Sequence, residues 1–314
     1  MHFLLTLAIV VLIFLNGATD ASNAIAASVS SGALRMRQAA ILSALSNMAG
    51  GIIGGICLDG IAESVMDSAD FGPRGEIGVF ATLTASVIFT FCAWIFCLPT
   101  SESHALLASA AGASVILGES ISPAQTLLPA VCWMAFCTVS GFLAGIAFGR
   151  FFPHIHSPRT VRMLQILCAA AASFLHGAQD LVKFTALLYA AGGKTHPLLL
   201  PAAAAVMGLG TLCGGRRMTE AAGNCLASLD SRTALATDLA SAASLAILSL
   251  LGIPSSTTHA RTAAAAGGAL VSRTCRLHSG PFFRFAAAWI LTFPVCAVLS
   301  VLLCKLLVLF CEIY

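Results

Sequence analysis

The chain has 314 residues, 58% of them hydrophobic and 9% charged, with 16 Lys and Arg against 13 Asp and Glu for a formal net charge of +3; its mean hydropathy is +0.94. A soluble domain carries about 25% charged residues to hydrate its exterior, so a water-soluble globule, a nucleic-acid binder and a disordered chain are excluded. What remains is a polytopic membrane protein, in which the placement of Lys and Arg matters more than their sum.

A hydrocarbon core of about 30 Å takes about 20 helical residues to cross. Apolar stretches of that order run through residues 1–34, 38–58, 77–97, 124–149, 161–191, 197–213, 236–252 and 283–312, and shorter arms follow Pro99 and Pro254. The first stretch, MHFLLTLAIVVLIFL and onward, lacks the basic start and cleavage site of a signal peptide and is expected to stay as a first helix. It is too long for one straight crossing, so a helix break is expected at the polar cluster near its middle. The 12 cysteines form no CxxC pair and lie in runs such as FCAWIFC, where Cys serves as a small apolar residue. Gly50, Gly51, Gly54 and Gly55 suit close helix packing better than a ligand cradle.

The chain repeats itself. NGATD at Asn16–Asp20 returns as HGAQD at His176–Asp180, 160 residues on, and LPTSESHA at Leu98–Ala105 returns as IPSSTTHA at Ile253–Ala260, 155 residues on. Two motifs in one order at nearly one offset mark a duplication. The first half is residues 1–150, with a hairpin tip near 99–104; the second is 151–314, with its tip near 254–259.

If each tip is re-entrant, each half makes three crossings plus one hairpin, and the odd number inverts the second half. With the N-terminus outside, Arg35, Arg37, Arg150, Arg159, Arg162, Arg216, Arg217, Arg232, Arg273, Arg276 and Arg284 fall on the cytoplasmic side. Asp59, Glu63, Asp67, Asp70, Glu76 and Glu119 then lie outside, as do Arg74 and Lys194, with Lys305 near the outer end of the last helix. That satisfies the positive-inside rule. The expected fold is an all-α polytopic membrane protein of two inverted-topology repeats, the first helix broken, in the plasma (inner) membrane with both termini outside.

Charged groups inside spans are costly and mark pathways or sites. Here they are Asp20, Glu102, Asp180, Lys183, Arg261 and Asp238. Glycine before each motif carboxylate permits a helix break that frees backbone groups for a ligand. At the tips, proline stops one arm, and Ser101, Ser103, Ser256, Thr257 and Thr258 carry hydroxyls at the start of the next, where free N–H groups and the helix dipole favour an anion. Carboxylates beside an anion make sense when cations sit between them, with Asp20, Asn23 and Asp180 offering hard oxygens. His104 and His259 are expected to brace the turns; Arg261 suits an acid or the substrate equally.

The paired motifs, GATDASNA with GAQDLVK and PTSESH with PSSTTH, resemble the duplicated hallmarks of the inorganic phosphate transporter (PiT) family of cation-coupled permeases over nearly the whole chain. The resemblance implies phosphate bound at the hairpin tips, coupling to sodium or protons, no other cofactor, no enzymatic chemistry and a homodimer. Carried over, Asp20, Ser101, Glu102, Ser103, Asp180, Ser256, Thr257 and Thr258 bind substrate, while Thr19, Asp20, Asn23, Gln179 and Asp180 hold sodium if sodium is the coupling ion. Thr19 and Gln179 replace asparagines of the family pattern and keep an oxygen. Glu102 stands where threonine is usual and is expected to titrate during transport. The alternatives are a permease for another oxyanion such as sulfate, or an uncoupled anion channel.

Overall fold

A computed structural model of the chain describes residues 2–58, 61–62, 71, 74–117, 123–152, 155, 157–190, 198–225, 229–253, 255–275 and 278–313. Asp59, Glu63, Asp67, Asp70, Glu119, Lys194, Pro254 and Arg276 therefore lie outside the described residues.

Among the described residues the regular structure is helical throughout, with no strand. In order, the helices are α1 His2–Asn23, α2 Ala26–Ser30, α3 Met36–Cys57, α4 Gly75–Ile95, α5 Glu102–Leu117 and α6 Pro123–Phe151, then α7 Pro158–Ala190, α8 Leu199–Cys225, α9 Ser231–Leu250, α10 Thr257–Val271 and α11 Ser279–Ile313. Eight of them, all but α2, α5 and α10, are long and apolar enough to cross a membrane. The observed helices follow the predicted stretches closely. The largest difference is α8, which continues past residue 213 through Arg216 and Arg217 to Cys225, its exposed arginines extending the helix beyond its apolar part.

The first stretch does break, but at residues 24–25, after the polar cluster rather than within it, and α7 runs unbroken through Gly177. The expectation that glycine opens the helix at each motif is thus corrected. Those glycines serve helix contact instead. A Cβ on Gly17 would lie 2.1 Å from the carbonyl oxygen of Met207 in α8, and one on Gly177 would lie 2.1 Å from that of Asn47 in α3. The facing glycines reciprocate, Gly210 against the Phe14 carbonyl and Gly50 against that of Phe174. Small residues let the backbones approach this closely, which stabilises packing where lipid supplies no hydrophobic drive.

The principal contacts follow the same alternation: α1 lies on α8 and α7 on α3, α5 on α11 and α10 on α6. Helices α4 and α5 pack together, as do α9 and α10. The two pairs turn alike. Cys97 (φ 52°) and Gly252 (φ 67°) both adopt the left-handed conformation just beyond the helix end. Leu98 N–H then donates to the Ala93 carbonyl at 2.9 Å, and Ile253 N–H to that of Leu248 at 3.0 Å. These are Schellman closures, normally built on glycine. An apolar cluster including Leu12, Leu83, Leu106, Leu181, Phe184 and Met207 packs α1, α4, α5, α7 and α8 together. α6 and α11 present their apolar side chains outward, among them Phe136, Leu143, Ile290 and Leu302.

Candidate functional site

The hairpin turns place the starts of α5 and α10 together inside the bundle. The rings of His104 and His259 meet edge-on with centroids 4.9 Å apart. Ser256 caps α10, its hydroxyl accepting from the His259 amide at 3.3 Å and lying 2.6 Å from His259 Nδ1. His259 thus braces its turn as expected. His104 does not: its ring rests on His259 and Phe293, and its Nδ1 is buried without a hydrogen-bond partner. Trp289 Nε1 donates to the carbonyl of Pro99 at 2.9 Å, tying the first tip to α11.

Against these tips stand the two motif carboxylates. Asp20, His176 and Asp180 each offer a ligand atom, all within 4.8 Å of one another. Asp180 is the more heavily bonded carboxylate. Lys183 Nζ donates to its Oδ1 at 2.7 Å, Asn16 Nδ2 donates to its Oδ2 at 2.8 Å, and His176 Nε2 lies 3.1 Å from Oδ2. On the far side of that ring, the amide nitrogen of Asn47 donates to Ser43, which leaves Asn47 Oδ1 to accept from His176 Nδ1 at 2.9 Å. The side-chain bond to Asp20, from the Thr258 hydroxyl, is a long one at 3.4 Å. Thr258 also accepts from Asn23 Nδ2 at 3.0 Å.

Glu102 is the first residue of α5, buried, with the hydroxyl of Thr19 3.0 Å from its Oε1. A carboxylate suits that position, because the helix start carries the positive end of the dipole. Its other oxygen, together with Asn16 Oδ1 and Asn23 Oδ1, is buried without a partner. Three buried acceptors without a partner, around three carboxyls and one ammonium, describe a centre that a proton or a cation would complete, because unpaired buried acceptors are costly.

All eleven residues expected at the site are buried. Thr19, Asp20, Asn23, Glu102, Ser103, Asp180 and Thr258 meet through the bonds above and through Lys183, whose Nζ donates to Ser103 Oγ at 2.7 Å. Ser101 precedes α5, and Ser256 and Thr257 open α10. Gln179 engages different partners: its amide donates to Ser249 and accepts from the hydroxyl and amide of Ser255, fastening the second tip to α7. Arg261 pairs with an acid, Asp238, at 2.5 Å. Asn16 and His176 were not expected at the site, although as opening residues of the duplicated motif they were open to selection by the repeat itself. Ser255 falls inside the duplicated tip motif, but the bond its backbone carbonyl accepts from Lys183 depends on the fold alone.

Helices of spanning length closed around a buried charged centre make this an integral membrane protein with its polar site inside the bundle. The sequence profile of the phosphate transporter family matches residues 16–300, and the chain belongs to that family. It is similar to the probable low-affinity inorganic phosphate transporter of Bacillus subtilis (strain 168), at 28% identity over 96% of this chain and 97% of that one. A Rhizobium meliloti (strain 1021) protein described in the same words is 28% identical over 92% of this chain and 91% of its own. Among solved structures, one described as the sodium-dependent phosphate transporter matches with a TM-score of 0.83 over 98% of this chain and 99% of that chain. At 18% identity that likeness is one of fold.

Proposed function

We propose that this chain moves inorganic phosphate across the membrane by cation-coupled alternating access. The observation that carries the reading is the meeting of two hydroxyl-bearing helix starts with Asp20 and Asp180 at one buried centre. Ser101, Ser103, Ser256, Thr257 and Thr258, with the free N–H groups of α5 and α10, provide donors for a tetrahedral oxyanion. The carboxylates oppose it. At 4 Å and an effective dielectric near 20, each unit charge costs about 4 kcal/mol. Cations must therefore enter first, neutralise the acids and order the site, after which phosphate docks between the tips and one bundle rocks against the other.

The inverted repeat and re-entrant hairpins belong to the same proposal. Support comes from the exchange of packing partners under the 160-residue offset, from the matched glycine contacts, and from the matched turns at Cys97 and Gly252. The orientation is supported by Arg150, Arg162, Arg232 and Arg273, which line two cavities sharing Ser231 and Arg232 and so lie at one end of the bundle. By the positive-inside rule that end is cytoplasmic. The homodimer rests on the family resemblance, and light scattering on the purified protein tests it.

Uptake of labelled phosphate into proteoliposomes, with sodium and pH gradients imposed separately, tests the proposal. Accumulation driven by either gradient is expected, with sulfate a poor competitor. Conductance indifferent to both gradients, or sulfate preferred over phosphate, would overturn it. Glu102 lies within this site, and Glu102→Gln is expected to alter the pH dependence of uptake; an unchanged profile removes Glu102 from coupling.

A further inference from the structure

The duplication relates the site residues one by one, and among the pairs that differ in chemistry one sets a fixed cation against a neutral amide. At an offset of 160, Asn23 corresponds to Lys183, and at an offset of 155, Ser103 corresponds to Thr258. The contacts follow the correspondence: Asn23 Nδ2 reaches Thr258 of the second tip at 3.0 Å, and Lys183 Nζ reaches Ser103 of the first tip at 2.7 Å. Asn23 brings a neutral amide whose Oδ1 is buried without a partner beside Asp20. Lys183 brings an ammonium. An ammonium has three donors and no acceptor, and here the three reach a carboxylate, Asp180 Oδ1 at 2.7 Å, a hydroxyl, Ser103 Oγ at 2.7 Å, and a backbone carbonyl, that of Ser255 at 3.1 Å. One oxygen comes from α7 and one from each tip.

That is the hard-oxygen set a small cation takes from a protein. The lysine occupies Asp180 Oδ1, while Oδ2 holds Asn16 and faces His176, so the ammonium fills the position a mobile cation would take between Asp180 and the two tips. The lysine has no donor to spare for phosphate, with all three on protein oxygens. We propose that the Lys183 ammonium is a tethered replacement for one coupling cation, so that sodium is kept from the Asp180 half of the site, while Asp20 and Asn23 keep an open cation position. The inference rests on the cation-coupled reading above and specifies its ion selectivity. A two-fold arrangement that would take two like ions takes one and supplies the other itself.

The test is equilibrium binding of radiolabelled sodium to the purified full-length protein without phosphate, wild type against Lys183→Gln, alongside thermal unfolding in sodium chloride and in choline chloride. Lys183→Gln is expected to bind one more equivalent of sodium than wild type and to be stabilised by sodium over choline at a concentration lower by about tenfold or more, since a unit charge a few ångströms away is removed. The double variant Asp180→Asn, Lys183→Gln should lose that extra ion. Equal sodium binding in wild type and Lys183→Gln would overturn the proposal. So would weakened binding of labelled phosphate by Lys183→Gln with no new response to sodium, which would make the lysine a substrate ligand. If Lys183→Gln is not recoverable, the shorter Lys183→Ala is purified in sodium. Failure of both in sodium also overturns it, because a free cation would then not replace the ammonium. These readouts need no transport, so absent phosphate uptake by the wild type would count against the proposed function and leave this measurement standing.

Discussion

Among the described residues two buried charge clusters lie inside this bundle, and they are built to opposite standards. In the first, Asp238 of α9 takes Arg261 Nη2 at 2.5 Å on one oxygen and the Ser28 hydroxyl at 2.7 Å on the other, while Arg261 Nη1 donates to the Ala24 carbonyl at 2.8 Å. Both carboxylate oxygens are bonded. The second, around Asp20, Glu102 and Asp180, leaves Asn16 Oδ1, Asn23 Oδ1 and Glu102 Oε2 unpartnered, and the side-chain bond to Asp20, from Thr258, is a long one. A closed ion pair ties α2, α9 and α10 together, whereas the open cluster leaves buried acceptors without partners. Burial alone does not distinguish them, because every acid concerned is nearly inaccessible. The count of satisfied atoms does.

Removing a charge from each cluster should separate the roles. Asp20→Asn is expected to abolish phosphate uptake while shifting unfolding free energy by no more than about 1 kcal/mol, since so little of the packing depends on that carboxylate; normal uptake would take Asp20 out of the site. Asp238→Ala should do the reverse. It strands a buried guanidinium and should cost about 3–5 kcal/mol in a detergent unfolding titration, whereas replacing both partners, Asp238→Leu with Arg261→Met, should recover most of the loss. A stable Asp238→Ala protein would erase the contrast.

A further carboxylate, outside the spans, gives the exposed limit of the same series. Asp230 caps α9 through the amides of Arg232 and Thr233, both at 2.9 Å, and accepts from the Thr274 hydroxyl. Partial burial opposes its charge, but the bonds from Thr274, Thr233 and Arg232 outweigh it and hold the carboxyl below its ordinary range. Because the folded value is the depressed one, its contribution is complete above the ordinary carboxylate pKa of about 3.9 and is lost as pH falls through the folded value. Asp230→Ala should cost about 1 kcal/mol near neutral pH, and the difference from wild type should shrink on acidification. The smallest effect concerns no charge at all. Cys97→Gly relieves a left-handed non-glycine residue where the other half already has Gly252, and should raise stability by about 0.5–1 kcal/mol. A fall in melting temperature would mean that the Cys97 side chain contributes packing greater than the backbone strain.

Much of this was legible in the residues. The repeats at offsets of 160 and 155 singled out the carboxylates and both tips, because duplication selects positions without any knowledge of contacts. Spans were legible from length and hydropathy alone. What spacing does not carry is which way a side chain turns. Gln179 and Thr19 occupy equivalent motif positions, yet Gln179 fastens the second tip while Thr19 faces Glu102. The pairing of Arg261 with Asp238 depends on how α9 folds back on α10. Each is settled by a tertiary neighbour, so the motif alone left it open.

The most direct test sets the two clusters side by side: labelled phosphate uptake by proteoliposomes of Asp20→Asn and of the Asp238→Leu, Arg261→Met pair, at matched protein incorporation. The account predicts no uptake from the first and substantial uptake from the second. Uptake by the Asp20 variant with none from the neutralised pair would place the transport pathway at Asp238 and Arg261 and contradict it.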